Sequence, residues 1–129
     1  MTVEMTYLLW SVVLTLVIAV IAVTGAKLQV GLPTLAGNRE NLPEFTGWAG
    51  RATRAHRNML ESLVLFAVAI IVSKLVDVSN AMTVLGATLF FWGRVAHAVI
   101  YIIGVPWLRT AAWAVSIVGL LMILAQLAR

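Results

Sequence analysis

Four long apolar stretches, set apart by short polar interruptions, organise the chain. The first, Met5 to Ala26, carries no charged side chain. Its twenty-two residues would reach roughly 33 Å as a helix, enough to cross hydrocarbon about 30 Å thick. Its length, the acidic Glu4 before it and the further apolar segments behind it separate it from a cleavable signal peptide. The second stretch is strongly apolar only from Ser62 to Ser73, too short to span alone. Its helix must therefore take in Arg51 through Glu61, whose polar side chains need a protein partner or a wet cavity. The third encloses Arg94 and His97, and the fourth is free of charge except for Arg109 at its start.

The joins follow from turn chemistry. Asp77-Val78-Ser79-Asn80 reads as a turn that caps the third helix, and Gly104-Val105-Pro106 as a tight turn with proline near the start of the fourth. The pattern predicts a single domain over residues 1–129, with helices at about 5–30, 50–75, 78–104 and 107–128. A polar loop at about 31–49 contains Gly-Asn-Arg-Glu-Asn-Leu-Pro-Glu, the composition of a loop folded against helix ends.

Composition turns this pattern into a fold class. Hydrophobic residues make up 62% of the 129 and charged residues 11%, with a mean hydropathy of +1.01. A soluble domain is nearer half apolar and a quarter charged. The expected fold is an all-α integral membrane protein, a bundle of four transmembrane helices. That excludes a large soluble catalytic domain and a cofactor fold built on a broad parallel sheet. The absence of cysteine excludes a disulfide scaffold, a thiolate-held iron–sulfur cluster and a cysteine nucleophile. The net charge is +4, but the basic residues form no long soluble patch. No nucleic acid partner is expected; anionic lipid or a small acidic ligand suits that charge better. With the first loop inside, Lys27, Arg39, Arg51, Arg54, Arg57 and Arg109 lie on the cytoplasmic side, against Lys74 and Arg129 on the other. The positive-inside rule then puts both termini outside.

Polar residues inside the spans carry the candidate chemistry. Arg51, Arg54, Asn58 and Glu61, at offsets 0, 3, 7 and 10, share one helical face, with Arg57 beside it. A carboxylate near two arginines orients their planar forks and leaves donors for something else. The plainer reading is an interfacial salt-bridge net or snorkelling to water; that is favoured for Arg51, and a ligand role for Arg57, Asn58 and Glu61. On the third helix, Arg94, His97 and Tyr101 share a face among apolar neighbours. An arginine so placed needs a partner, and Glu61 is the carboxylate at a compatible depth, so Arg94–Glu61 is the expected pair. His97 reads as a hydrogen-bonded core group. Two histidines on separate helices, without cysteine, make no metal site, and no metal is expected. Arg109 and Thr110 open the fourth helix, where free N–H groups and a fixed positive charge could receive an anion; cytoplasmic anchoring is the alternative.

Arg54-Ala55-His56-Arg57-Asn58-Met59-Leu60-Glu61, then Gly93-Arg94-Val95-Ala96-His97-Ala98-Val99-Ile100-Tyr101, then Arg109, together resemble the MAPEG superfamily, the membrane-associated proteins in eicosanoid and glutathione metabolism. The likeness is close to the microsomal glutathione transferase and prostaglandin E synthase branch, and the short chain looks like a bacterial member. The resemblance implies a homotrimer in the bacterial inner membrane, with glutathione sites between subunits opening toward the cytoplasm. Arg54, Arg57, Asn58, Glu61, His97 and Tyr101 would hold glutathione, with Arg94 in the same set. Arg109 would sit near the sulfur, and Thr110 stands where one branch has a serine proposed to assist chemistry. Two positions depart from the pattern: Lys27 matches the first-helix basic residue loosely, and Trp113 replaces a ring-stacking tyrosine.

The implied activity is a glutathione-dependent transferase or peroxidase acting on a lipophilic electrophile or hydroperoxide delivered by the membrane lipids. A free thiol has a pKa of about 8.5. Lowering it to about 6.5 requires roughly 2.7 kcal/mol of differential stabilisation, which Arg109 and the helix amino end would supply. The alternative is a non-catalytic thiol-binding or structural membrane protein of the same fold. A small transporter is a third reading, opposed by the apolar far half of every helix.

Overall fold

The computed structural model describes residues 1–129, and the capping groups explain where each helix begins and stops. The first helix, α1, runs Val3–Val30. Thr2 caps it, its hydroxyl accepting from the Met5 N–H at 3.2 Å. Gly31, at φ 85°, ends it by donating to the Lys27 carbonyl. A single turn, α2 (Leu32–Ala36), follows inside the stretch expected to be loop. The remaining linker returns to α1 through Gln29, whose side-chain amide both donates to the Thr46 carbonyl (2.8 Å) and accepts from its N–H (3.1 Å). That two-bond clamp lets α3 begin at Gly47, three residues ahead of the sequence expectation, and run to Leu75.

The α3–α4 turn uses the residues its sequence suggested. Ser73 Oγ donates to the Val78 carbonyl, and Asn80 caps α4 (Ala81–Ile103) in a reciprocal capping box with Thr83. The cap places the start of α4 at 81 rather than 78. Gly104 closes α4 in the left-handed conformation, and Pro106 opens α5 (Pro106–Leu127).

Helices α1, α3, α4 and α5 are each long and apolar enough to cross a membrane. Only 31 of the 129 residues are buried, and Leu16, Val20, Val64 and Leu121 stand among many exposed large apolar side chains. Apolar surface on that scale belongs in lipid or against another membrane segment. The interior is narrow. Phe66 of α3 stacks on Phe90 of α4 with ring centroids 4.0 Å apart, and Met59, Ile18 and Ile123 fill the layers around them.

The closest approach is between α4 and α5. A methyl group at Gly86 would lie 2.6 Å from the Gly119 carbonyl oxygen, and one at Gly93 would lie 2.9 Å from the Ser116 nitrogen. Small residues let the two backbones meet, the usual basis of helix association where no hydrophobic force separates helix from lipid. This pair therefore forms a stiff mount for what lies at its Arg109 end.

Candidate active site

A cleft of about 250 Å³ opens at the end of the bundle where α4 finishes and α5 begins. Asn58 of α3, His97 and Tyr101 of α4, and Arg109, Thr110 and Trp113 of α5 line it. His97 and Tyr101 are four residues apart and so share one face of α4. Their rings meet edge to face, with centroids 5.4 Å apart. The Arg109 guanidinium lies 4.3 Å from the centre of the Tyr101 ring. That cation–π contact holds a flexible side chain at the cleft while leaving its five N–H groups free to meet an anion. Thr110 Oγ donates weakly to the Pro106 carbonyl at 3.4 Å, a bond easily exchanged for a better acceptor.

Behind this wall sits Arg94, only 1% exposed. Its Nη2 donates to Asn58 Oδ1 at 2.6 Å, while Nε and Nη1 find no partner in the protein. This corrects the expected Arg94–Glu61 pair. The buried stripe of α3 passes through Ala55, Met59, Ser62 and Phe66. Glu61 is two residues from Met59, about 200° around the helix, and is exposed. Asn58 borders the stripe and faces α4. Depth alone favoured the carboxylate; the azimuth selects the amide. A neutral partner leaves the guanidinium charge uncompensated beside the cleft. His97, 3% exposed, likewise has an unpartnered Nδ1, so it is not a fully hydrogen-bonded core group.

The other expected residues lie outside the cleft of the single chain. Arg54, Arg57 and Glu61 project from the exposed side of α3, and Lys27 stands exposed in the last turn of α1. Arg51 joins no carboxylate. Its Nε donates to the Ile102 carbonyl at 2.9 Å and packs against Gly104, securing the turn that leads to Arg109. Sequence reasoning also passed over Glu4, used only to argue against a signal peptide. It is 2% exposed and bonded by Ser79 and Thr83 at the far end of the bundle. Its signal is faint: one carboxylate just ahead of an apolar run, with hydroxyl partners 75 and 79 positions away.

The arrangement offers a concave wall that carries the Arg109 guanidinium, a hydroxyl and two aromatic rings. Such a donor set fits a small anionic ligand whose charge would develop or reside near Arg109. Compared with known proteins, residues 5–129 match the family model described as the MAPEG family, which takes in every residue of the cleft. No curated protein and no solved structure matches the chain.

Proposed function

The chain belongs to the MAPEG family, and from that premise we propose that it is a glutathione-dependent transferase or peroxidase of the microsomal glutathione transferase and prostaglandin E synthase branch. The observation that carries this reading is Arg109 fixed over Tyr101 at a cleft that His97 also lines, with the incompletely paired guanidinium of Arg94 buried behind it. Glutathione is anionic at neutral pH, and Arg109 brings the cleft a guanidinium whose N–H groups are free. Arg109 and the free N–H groups of the first turn of α5 favour a thiolate over a thiol. No general base is required once the proton leaves on binding. Thr110 supplies a hydroxyl to the sulfur, and Trp113 provides a flat apolar face where a membrane-borne substrate meets it.

Six residues of one chain line this open cleft. Arg54, Arg57 and Glu61, exposed on α3, and Lys27 on α1 supply the remainder when neighbouring subunits pack as a homotrimer, so each site is shared. The excess of basic residues at this end supports an orientation toward the cytoplasm of a bacterial inner membrane, with the termini outside. In conjugation, the sulfur–carbon bond forms as the electrophile's leaving group departs. With a hydroperoxide, two glutathione molecules yield the disulfide, an alcohol and water.

The deciding experiment is a glutathione titration of the detergent-purified protein, followed by thiolate absorbance at neutral pH, with Arg109→Ala beside it. A saturable signal lost in the variant supports the reading. Saturable binding without thiolate would leave a non-catalytic thiol-binding protein, and no binding at millimolar glutathione would remove the glutathione assignment.

A further inference from the structure

The end of the bundle remote from Arg109 holds a second buried charge. Glu4 Oε1 accepts from Ser79 Oγ at 2.8 Å and from Thr83 Oγ1 at 2.5 Å. Its Oε2, on a residue 2% exposed, receives no hydrogen bond from the protein. Glu4 lines a cavity of about 20 Å³ with Thr2, Ser73, Lys74, Asp77 and Ser79. That volume is on the scale of one water molecule or one small ion. Three of the hydroxyl protons nearby are already committed: Ser73 donates to the Val78 carbonyl, while Ser79 and Thr83 donate to Glu4. What those three groups leave over is lone pairs. Two carboxylates and one ammonium border the space, so its wall carries a net negative charge.

A carboxylate oxygen held away from water without a partner is costly, and carboxylate and hydroxyl oxygens suit a hard cation. We propose that this cavity is a sodium site, in which Glu4 Oε2 and the hydroxyl oxygens of Ser73 and Ser79 hold one monovalent ion. A single positive charge balances the net charge of the wall, and the exposed Lys74, Asp77 and Ser79 place the cavity mouth toward water. The bound ion joins the start of α1 to the α3–α4 turn, two segments that otherwise meet here through the Glu4 hydrogen bonds.

The test is thermal unfolding of the full chain in detergent, in sodium chloride against choline chloride at equal ionic strength. Sodium should raise the midpoint saturably by a few degrees, roughly as expected for a ligand that binds only the folded state. Glu4→Gln should abolish the sodium dependence. Ser79→Ala, which keeps the carboxylate, should weaken the apparent sodium affinity about tenfold, the effect of one lost oxygen contact. Lys74→Gln should tighten it by removing a competing positive charge. Equal midpoints in sodium and choline, sodium dependence that survives Glu4→Gln, or stabilisation by calcium in place of sodium would each overturn the assignment. Should Glu4→Gln fail to fold, Ser79→Ala decides.

Discussion

The two ends of the bundle each bury one charged side chain and leave it partly unsatisfied, but with opposite surplus. At the Arg109 end, Arg94 has two nitrogens without partners and His97 has one. At the Glu4 end, a carboxylate oxygen is in excess. The surroundings differ by an order of magnitude in size, about 250 Å³ of cleft against about 20 Å³ of cavity. A buried polar atom without a partner is expensive in either place. What separates the two is how much room a compensating partner has. A wide cleft bearing the Arg109 guanidinium accommodates a polyatomic anion; a water-sized nook beside an unpaired carboxylate oxygen does not. Charge sign and free volume together, more than the charged residue itself, tell the two sites apart.

The largest expected effect breaks the donor surplus where the reacting charge would lie. Arg109→Ala should lower the rate of conjugation to a model electrophile by about 100- to 1,000-fold, the scale of removing a preorganised charge-stabilising donor. The loss should fall mainly on turnover, since the inner wall of the cleft is intact. A fall confined to glutathione affinity would make Arg109 a binding group and move charge stabilisation elsewhere on the wall.

Asn58 tests whether Arg94 depends on its one protein partner. Asn58→Ala should destabilise the fold by about 2–3 kcal/mol, the cost of stripping a hydrogen bond from a buried charge. Glu61→Gln, on the exposed side of α3, should stay within about 0.5 kcal/mol in the isolated chain. Denaturation in detergent of both variants compares them directly. Equal losses would restore the carboxylate as the arginine's partner.

That contrast also marks what the chain disclosed in advance. The spans and turns were legible because each depends on neighbours in sequence: the charge-free Met5–Ala26 run, the Asn80 cap and Pro106 at the head of α5. Membership of one face was legible as well, since His97 and Tyr101 fall four residues apart and do line one cleft. The rotation of α3 was not. Asn58 and Glu61 differ by less than one turn, and which of them meets Arg94 depends on how Met59 and Phe66 seat the helix against its neighbours. Glu4 was hidden for a related reason. Its partners come from a turn far along the chain, and nothing local distinguishes a buried carboxylate from a solvated one.

Gly119 lies between the two ends and asks whether they are independent. A methyl group there would press on the Gly86 carbonyl and lie 2.8 Å from the Phe90 nitrogen. Gly119→Ala should cost about 1–3 kcal/mol of stability through forced separation of α4 and α5. The folded fraction should keep its glutathione affinity, measured by equilibrium titration, because Gly93 and Ser116 still fix the two helices nearer the cleft. Loss of affinity in step with stability would mean that the α4–α5 contact sets the cleft along its whole length.

The smallest effect belongs to Thr110. Its hydroxyl donates to the Pro106 carbonyl at 3.4 Å, long enough that a thiolate would compete successfully for the proton. Thr110→Val keeps the shape of the side chain and removes only that donor. The expected loss of turnover is about tenfold, the worth of one hydrogen bond of roughly 1.4 kcal/mol. Thr110→Ser should restore the rate, because the hydroxyl returns and the lost methyl lies on an exposed residue. A valine variant as active as the parent would assign the thiolate to Arg109 and the helix amino end alone. The hydroxyl would then be a cap on the first turn of α5, and the donor surplus of this end would rest on its charged groups.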